Sequence, residues 1–391
     1  MKRGEALTPS APLSHSSGEG RTRGCASPAL DVLSVGNFCV DMLVKPVRQL
    51  PPPGGLEIIE EYELQTGGCS NNCAIALARL GLSVATVGRV GQDRTGDIVL
   101  DLLARNGVCT DLMVRDPSAS TSLSVVVINE RGERSFIHHP GATQNLSLDD
   151  VLQAGRAFLG PEPAATLRAL HVGGAFLLPS LDGEPMAQLL RQAQEAGALT
   201  FVDTAVDGKG NRLGVVDPIL PYLDYFLPSE AEALGITGLE EPEEMAAFLL
   251  GRGVRTVCIK LGERGSYVAG ELESPHPPTP SPIGMGEGEA SRGSGDRRSP
   301  SPAIAGEGAG GEGVLVPAFA VTPVDTCGAG DTFTAGFIAG ILNGFGAVGA
   351  ARLANAVGAM CVTGLGATTA IGTWEETLAF MERTPVRETA T

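Results

Sequence analysis

DTCGAGD, Asp325 to Asp331, sets two carboxylates around a turn of small residues, Gly328-Ala329-Gly330, and an apolar run follows at once. In that run Phe333, Phe337 and Ile341 recur every fourth position, the spacing of one helix face. The segment before it, VPAFAVTPV from Val316 to Val324, reads as extended, because Pro317 and Pro323 disfavour helix and β-branched residues favour strand. The stretch therefore reads as a strand-to-helix turn whose glycines leave backbone N–H groups bare at a helix N-terminus. Bare amides and the positive end of the helix dipole together bind anions. Asp331 stands at the mouth of that anion hole. A base that takes a proton from a hydroxyl while phosphate charge builds up beside it suits the position. The plainer alternative, a glycine-rich turn with Asp331 as an ordinary first-turn residue, stands equally well on these seven residues alone.

The rest of the chain narrows the choice. At 391 residues it can form one large or two ordinary domains with a sizeable core. A net charge of -17 argues against nucleic acid or an anionic membrane as the main partner, though a local field can still hold an anionic substrate. The eight cysteines form no CxxC pair, so neither a zinc site nor a disulfide framework is suggested, and a reduced, cytoplasmic setting fits best. No run of 18 or more apolar residues offers a membrane span, and the basic N-terminus lacks the apolar core of a secretory signal.

Residues 1–29, rich in Ser, Gly, Pro, Thr and Arg, read as a disordered tail. A second such tract, 274–313, carries two imperfect copies of one motif, SPIGMGEG (Ser281 to Gly288) and SPAIAGEG (Ser301 to Gly308). It lies between two strand-like runs, GSYVAGEL and GVLVPAFAV, and reads as a disordered insertion in a hairpin loop, which closure entropy tolerates. Elsewhere strand-like and helical segments alternate. LDVLSVGNFCVDMLV (Leu30 to Val44) reads as a first strand and NNCAIALARLGL (Asn71 to Leu82) as a helix stopped by Gly81. Alternation of this kind implies an α/β fold with a mostly parallel sheet, helices on both faces and ligands at the carboxyl ends of strands. Thr121 to His139 breaks the pattern and, with Glu57 to Leu64, reads as a small projecting sheet, a natural lid.

With DTCGAGD and TGGCSNNCAIALARLG (Thr66 to Gly81) in this order, the chain resembles the ribokinase-like (PfkB) carbohydrate kinase family from about Asp31 to Ala370. The resemblance implies a three-layer ribokinase-like fold in one kinase domain, 30–378, with lid strands at about 43–64 and 121–139 and a C-terminal tail at 379–391. It implies phosphoryl transfer from ATP, with Mg2+, to a hydroxyl. Carried over by position, Asp331 matches the catalytic base and the amides of Gly328, Ala329 and Gly330 the anion hole. Asp41, Gly67, Gly68 and Asn72 match the substrate contacts. Lys260, Gly262 and Gly265, in IKLGERG, and Asn355 match the nucleotide side. Glu232 matches the magnesium-ordering carboxylate, and Asp325 with the carbonyls around Gly364 and Gly366 matches a monovalent-cation loop that takes K+. Ser229 departs from the family's usual asparagine three residues before Glu232, so altered magnesium or phosphate dependence is expected.

Other residues invite plainer readings. His138 and His139 read as strand-end surface histidines rather than substrate contacts, and His171 as a core histidine or a ligand contact with equal weight. Cys327 reads as inert packing unless its pKa is low, and Asp203 as a site residue or an Asx-type turn. A kinase of a sugar or sugar acid is favoured. A nucleoside kinase on the same scaffold is the alternative, and a non-catalytic sugar- or nucleotide-binding regulator the third reading. The presence of Asp331 argues against the regulator, and a lid poor in aromatics favours a sugar over a base. Arg131 and Arg134 leave a phosphorylated substrate open, and exposed lid strands suit a homodimer.

Overall fold

The computed structural model describes residues 29–131, 133–205, 212–273 and 313–388. The expected tail at 1–29 and the insertion at 274–313 lie outside the described residues, apart from Ala29 and Gly313. The chain begins with β1 (Ala29–Gly36), β2 (Cys39–Lys45) and β3 (Glu61–Gly67), then α1 (Cys69–Arg79), β4 (Val84–Val87) and β5 (Arg89–Gly91). Next come α2 (Arg94–Arg105), β6 (Val114–Asp116), β7 (Ser122–Ile128), β8 (Arg134–His139), α3 (Leu148–Ala154), α4 (Arg156–Leu159), β9 (Thr166–Ala175) and α5 (Glu184–Glu195). β10 (Leu199–Thr204), α6 (Arg212–Val216), β11 (Tyr225–Phe226), α7 (Glu230–Thr237), α8 (Pro242–Leu250), β12 (Thr256–Lys260) and β13 (Ser266–Gly270) follow. The last elements are β14 (Val314–Val316), α9 (Ala329–Leu342), α10 (Ala347–Cys361) and α11 (Trp374–Arg383).

The large sheet has the order β14-β13-β12-β11-β10-β9-β1-β4. Its strands from β12 to β4 pair in parallel, and β13 and β14 close the other edge as an antiparallel hairpin flanking residues 274–312. Strands of such a sheet are covered on both faces and so read as continuous apolar runs. Neighbours Val32 and Leu33 of β1 accordingly enter two different apolar layers. One layer packs the sheet against α5 through Leu189 and Leu190. The other packs Phe201 and Tyr225 against α1, α9 and α10, with the two rings stacked at 4.6 Å and Phe337 edge-on to Tyr225 at 5.5 Å. Truncating Phe337, which is fully buried, to alanine would cost about 3–5 kcal/mol.

Helix α9 is buried from Thr332 to Leu342 on every side, which explains why its run carries almost no polar face. Close approach to α10 requires Gly336 and Gly340. A Cβ on either would lie 2.8 Å from the Cα of Ala354 or Ala350. The α9 N-terminus is thereby pinned from behind, at the carboxyl edge of the sheet.

Three sequence expectations shift. The single strand expected at Leu30 to Val44 is two: β1 ends at Gly36, and β2 leaves the large sheet. Gly36 has φ +141°, and a Cβ there would sit 2.2 Å from the carbonyl oxygen of Gly173. Apolar patterning continues through the break, so periodicity cannot register it. Asp41 consequently belongs to the lid, a four-stranded sheet in the order β3-β2-β7-β8, and the lid strands begin four residues earlier than expected. Finally, the expected tail at 379–391 is helical through Arg383. A capping box of Thr373 and Glu376 starts α11, and Phe380 packs against Phe319.

Candidate active site

The turn from β14 to α9 takes its shape from Gly328, whose φ is +74° and where an added Cβ would lie 2.4 Å from that of Ala367, so any other residue would be strained. This αL residue is the N-cap of α9 and brings no side chain to the helix end. Among the described residues the Gly328 and Gly330 amides find no backbone partner, and that of Ala329 reaches only the Thr326 carbonyl, at 3.4 Å. Bare donors and the helix dipole therefore face one opening.

Asp331 lies in the first turn. Asn72 Nδ2, from the start of α1, donates to Asp331 Oδ2 at 2.8 Å. Burial, reinforced by the charge of Asp203, pushes the Asp331 carboxyl up to about 7, against the opposing pull of Asn72 and Lys260. Asp203 ends β10 and is fully buried, accepting from the Gly174 amide (3.0 Å) and the Thr334 hydroxyl (3.1 Å). Its sequence reading as site residue or turn resolves to a fixed charge behind the base. Burial works against the charge of Lys260, but Asp203, Glu232 and Asp331 together raise its pKa. Its ammonium approaches Gly330, where an added Cβ would lie 3.6 Å from Nζ.

On the lid side, Asp41 is 7% exposed and its carboxyl is raised by burial, while Ser124, Cys39 and Arg134 pull it down. A Cβ on Gly67 would meet Asp41 Oδ1 at 2.2 Å, and one on Gly68 (φ +94°) the Asn37 carbonyl oxygen at 2.6 Å. The two glycines therefore make room for the carboxylate and start α1. Among the described residues Asn72 Oδ1 is buried with no partner, an acceptor beside the base. Asp41, Gly67, Gly68, Asn72 and Asp331 thus converge under the lid.

On the far side of the turn a cavity of about 360 Å³ opens. Phe319, Val321, Phe333 and Val362 form apolar walls, and its inner end reaches Lys260, Ala329 and Gly330. Gly262, Gly265 and Asn355 line it as well. Asn355 is a brace, with Nδ2 donating to the Val316 and Pro317 carbonyls at 3.0 and 3.2 Å. Gly265 (φ +100°) lies so close to Val316 that a Cβ would stand 2.0 Å from its carbonyl oxygen.

The two acidic residues expected at metals both make bonds within the protein. Glu232 closes a capping box on α7, accepting from the Ser229 amide (2.7 Å) and the Thr204 hydroxyl (2.8 Å) through Oε2, while Ser229 Oγ accepts from the Glu232 amide. Serine at 229 is thus a good N-cap in its own right. Asp325, expected at a monovalent cation, instead carries Arg134 Nη2 at 2.5 Å, and its oxygens also accept the amides of Cys327 and Gly366, each at 2.8 Å. Among the described residues no group of three or more His, Cys, Asp or Glu is placed to hold a metal ion.

The remaining histidines and Cys327 take plain roles. His171 is fully buried, its pKa lowered by burial to about 4, with Nδ1 against Ser34 Oγ at 3.0 Å. His138 and His139 pair with Ser124 and Ser120 at the end of the lid. Burial pushes Cys327 up to about 12, an unreactive thiol. Sequence reasoning did not foresee the Arg134–Asp325 pair, since 191 residues separate the two and no pattern along the chain links them.

Comparison with known proteins bears on this geometry. The family model described as "pfkB family carbohydrate kinase" matches residues 29–283 and 298–374. The ribokinase of Haemophilus influenzae is 25% identical over 353 residues, covering 89% of this chain and 97% of that one. A fructokinase of Vibrio alginolyticus is 27% identical, covering 81% and 91%. Among solved structures, an Arabidopsis thaliana ribokinase complexed with ribose and ATP superposes with a TM-score of 0.68 at 23% identity, over 90% of this chain and 99% of that one. Its likeness speaks for the fold alone.

Proposed function

The chain belongs to the pfkB family of carbohydrate kinases, and on that premise we propose that it moves the terminal phosphoryl group of ATP to a hydroxyl of an unphosphorylated sugar or sugar acid. One observation carries the reading. A carboxyl titrating near neutrality sits at the helix end where the Gly328 and Gly330 amides have no backbone partner, between the lid and an apolar cavity. Asp331 takes the proton from the acceptor hydroxyl as it attacks. The Gly328, Ala329 and Gly330 amides and Lys260 meet the charge that builds on the migrating group, and they are already aligned before it arrives. Asp41 and Asn72 orient the sugar, with Asn72 Oδ1 accepting a hydroxyl while Nδ2 holds the base. The cavity walled by Phe319, Phe333 and Val362 suits an adenine base, and Gly262 and Gly265 keep its floor open.

The chemistry that magnesium would supply here, when bound, is screening of the nucleotide's phosphate charge. Such an ion keeps several waters and needs only one or two protein carboxylates. Glu232 fits that part: both of its bonds fall on Oε2, so Oε1 is the oxygen for a metal-bound water. The described residues contain no helix long and apolar enough to cross a membrane. The test is ADP release with magnesium and ATP against a panel of sugars, sugar acids and nucleosides. Turnover on sugars or sugar acids is expected. Turnover confined to nucleosides would replace the substrate class, and silence across the panel would favour a non-catalytic regulator.

A further inference from the structure

Arg134 opens strand β8 of the lid, yet its guanidinium ends on the loop that leads into α9. Nη2 sits 2.5 Å from Asp325 Oδ2, with the two side chains 14% and 0% exposed. The same carboxylate accepts the Cys327 amide on Oδ1 and the Gly366 amide on Oδ2. One buried carboxylate therefore joins three segments remote in sequence: the lid, the turn before the anion hole, and the loop that follows α10. A monovalent cation was expected on this carboxylate, with carbonyls around Gly364 and Gly366. The residues present do not fit one. The guanidinium already supplies a single positive charge at contact distance, and a second buried cation beside it would be uncompensated.

A second observation separates this contact from an ordinary stabilising pair. Among the described residues Arg134 Nη1 is buried without a hydrogen-bond partner. The large majority of buried side-chain donors in native structures have one. The Arg134 charge is also felt at Asp41.

We propose that Arg134 is a tethered substitute for a monovalent cation. It holds Asp325 and, through the Cys327 and Gly366 amides, sets the Gly328–Gly330 turn, so that neither the fold of this loop nor turnover responds to potassium. Arg134 is a positioning residue in this account, since it acts through Asp325. The statement about turnover rests on the kinase reading above; the statement about ion binding does not.

The full-length protein and its Arg134→Met and Arg134→Lys variants are melted in potassium chloride and in tetramethylammonium chloride at equal ionic strength, without substrate. The wild type should melt at one temperature in both salts. Arg134→Met should melt lower in tetramethylammonium and recover as potassium is added, because an ion that binds only the folded state stabilises it by mass action. Arg134→Lys, which keeps the charge, should stay insensitive. In turnover, the wild type should differ by less than about twofold between salts, and Arg134→Met should lose on the order of tenfold in tetramethylammonium and regain it in potassium. A wild-type melting temperature that climbs with potassium overturns the proposal, as does an Arg134→Met variant that melts alike in both salts. Should that variant show no cooperative melt in tetramethylammonium, rescue by potassium supports the proposal and lack of rescue counts against it. Melting decides the ion question even if no substrate turns over, which keeps failure here distinct from failure of the kinase reading.

Discussion

At Asp331 the same burial that makes a useful base works against the fold. An ordinary aspartate titrates near 3.8, and here burial and Asp203 move it to about 7. As a base it must be ionised, so turnover should fall as pH drops below about 7. For stability the sign runs the other way. A raised folded-state pKa contributes stability that is complete below the ordinary pKa and is lost as pH rises through the shifted one. Ionised Asp331 therefore weakens the fold above neutrality. Asp331→Asn should lower turnover by several orders of magnitude while leaving sugar and nucleotide affinity nearly intact, and it should melt higher than the wild type at pH 8 with the gap closing at pH 5. Calorimetry at the two pH values with parallel binding titrations checks this. Equal loss of binding and turnover would point to a folding role instead. The base and its glycines were legible because they are contiguous and their chemistry is local. Asp203 and Arg134 were singled out but their roles were not legible, because what defines them is a partner 131 or 191 residues away, Thr334 for one and Asp325 for the other. No pattern along the chain reports such a meeting.

Elements were read well where period and punctuation agreed. The helix expected at Asn71 to Leu82 is α1, and the run after DTCGAGD is α9, set against α1 and α10 in the second apolar layer. Misreadings fell where two elements share one apolar run, as at Gly36, or where a polar, amphipathic segment resembles a tail, as in α11. The Ser229 departure looks different at this scale. Read alone, serine weakens a magnesium element; read with α7, it is the reciprocal cap that fixes Glu232. Ser229→Ala should therefore cost about 1 kcal/mol in a denaturant melt, the usual worth of an N-cap. Ser229→Asn keeps a capping side chain, so its stability should match the wild type, while the magnesium concentration that half-saturates turnover should move. An unchanged magnesium titration in Ser229→Asn would remove Ser229 from the metal's surroundings.

For the whole molecule, the contrast lies between a body whose sheet is covered on both faces and a lid that is covered on one. Of the twelve exposed large hydrophobics among the described residues, seven (Leu50, Leu56, Ile58, Tyr62, Leu64, Phe136 and Ile137) belong to the lid or to the segment joining β2 to β3. Strand register sorts them. Leu64 pairs with Met42, Met42 with Val125 and Val125 with Ile137, an apolar row running across all four strands. Strand alternation puts that row on the face opposite Gln65, Asp41, Ser124 and His138, which turns toward the base. Leu64 and Ile137, 39% and 55% exposed, are thus apolar at the outer rim of a sheet whose face is left exposed there by the described residues. Contiguous apolar surface of this kind marks an interaction site, and a second lid, apolar in the same register, is the self-complementary partner that two-fold symmetry provides. The chain should therefore be a dimer by light scattering, with an interface in the usual range of roughly 1,200–2,000 Å². Val125→Glu places a charge inside that row and Ile137→Glu one at its β8 end, and each should yield monomers. Since the row points away from Asp41, binding of a sugar by those monomers should survive. A wild-type protein that runs as a monomer at micromolar concentration, or Val125→Glu and Ile137→Glu variants that remain dimers, would place the contact elsewhere and leave the lid's apolar face to another partner.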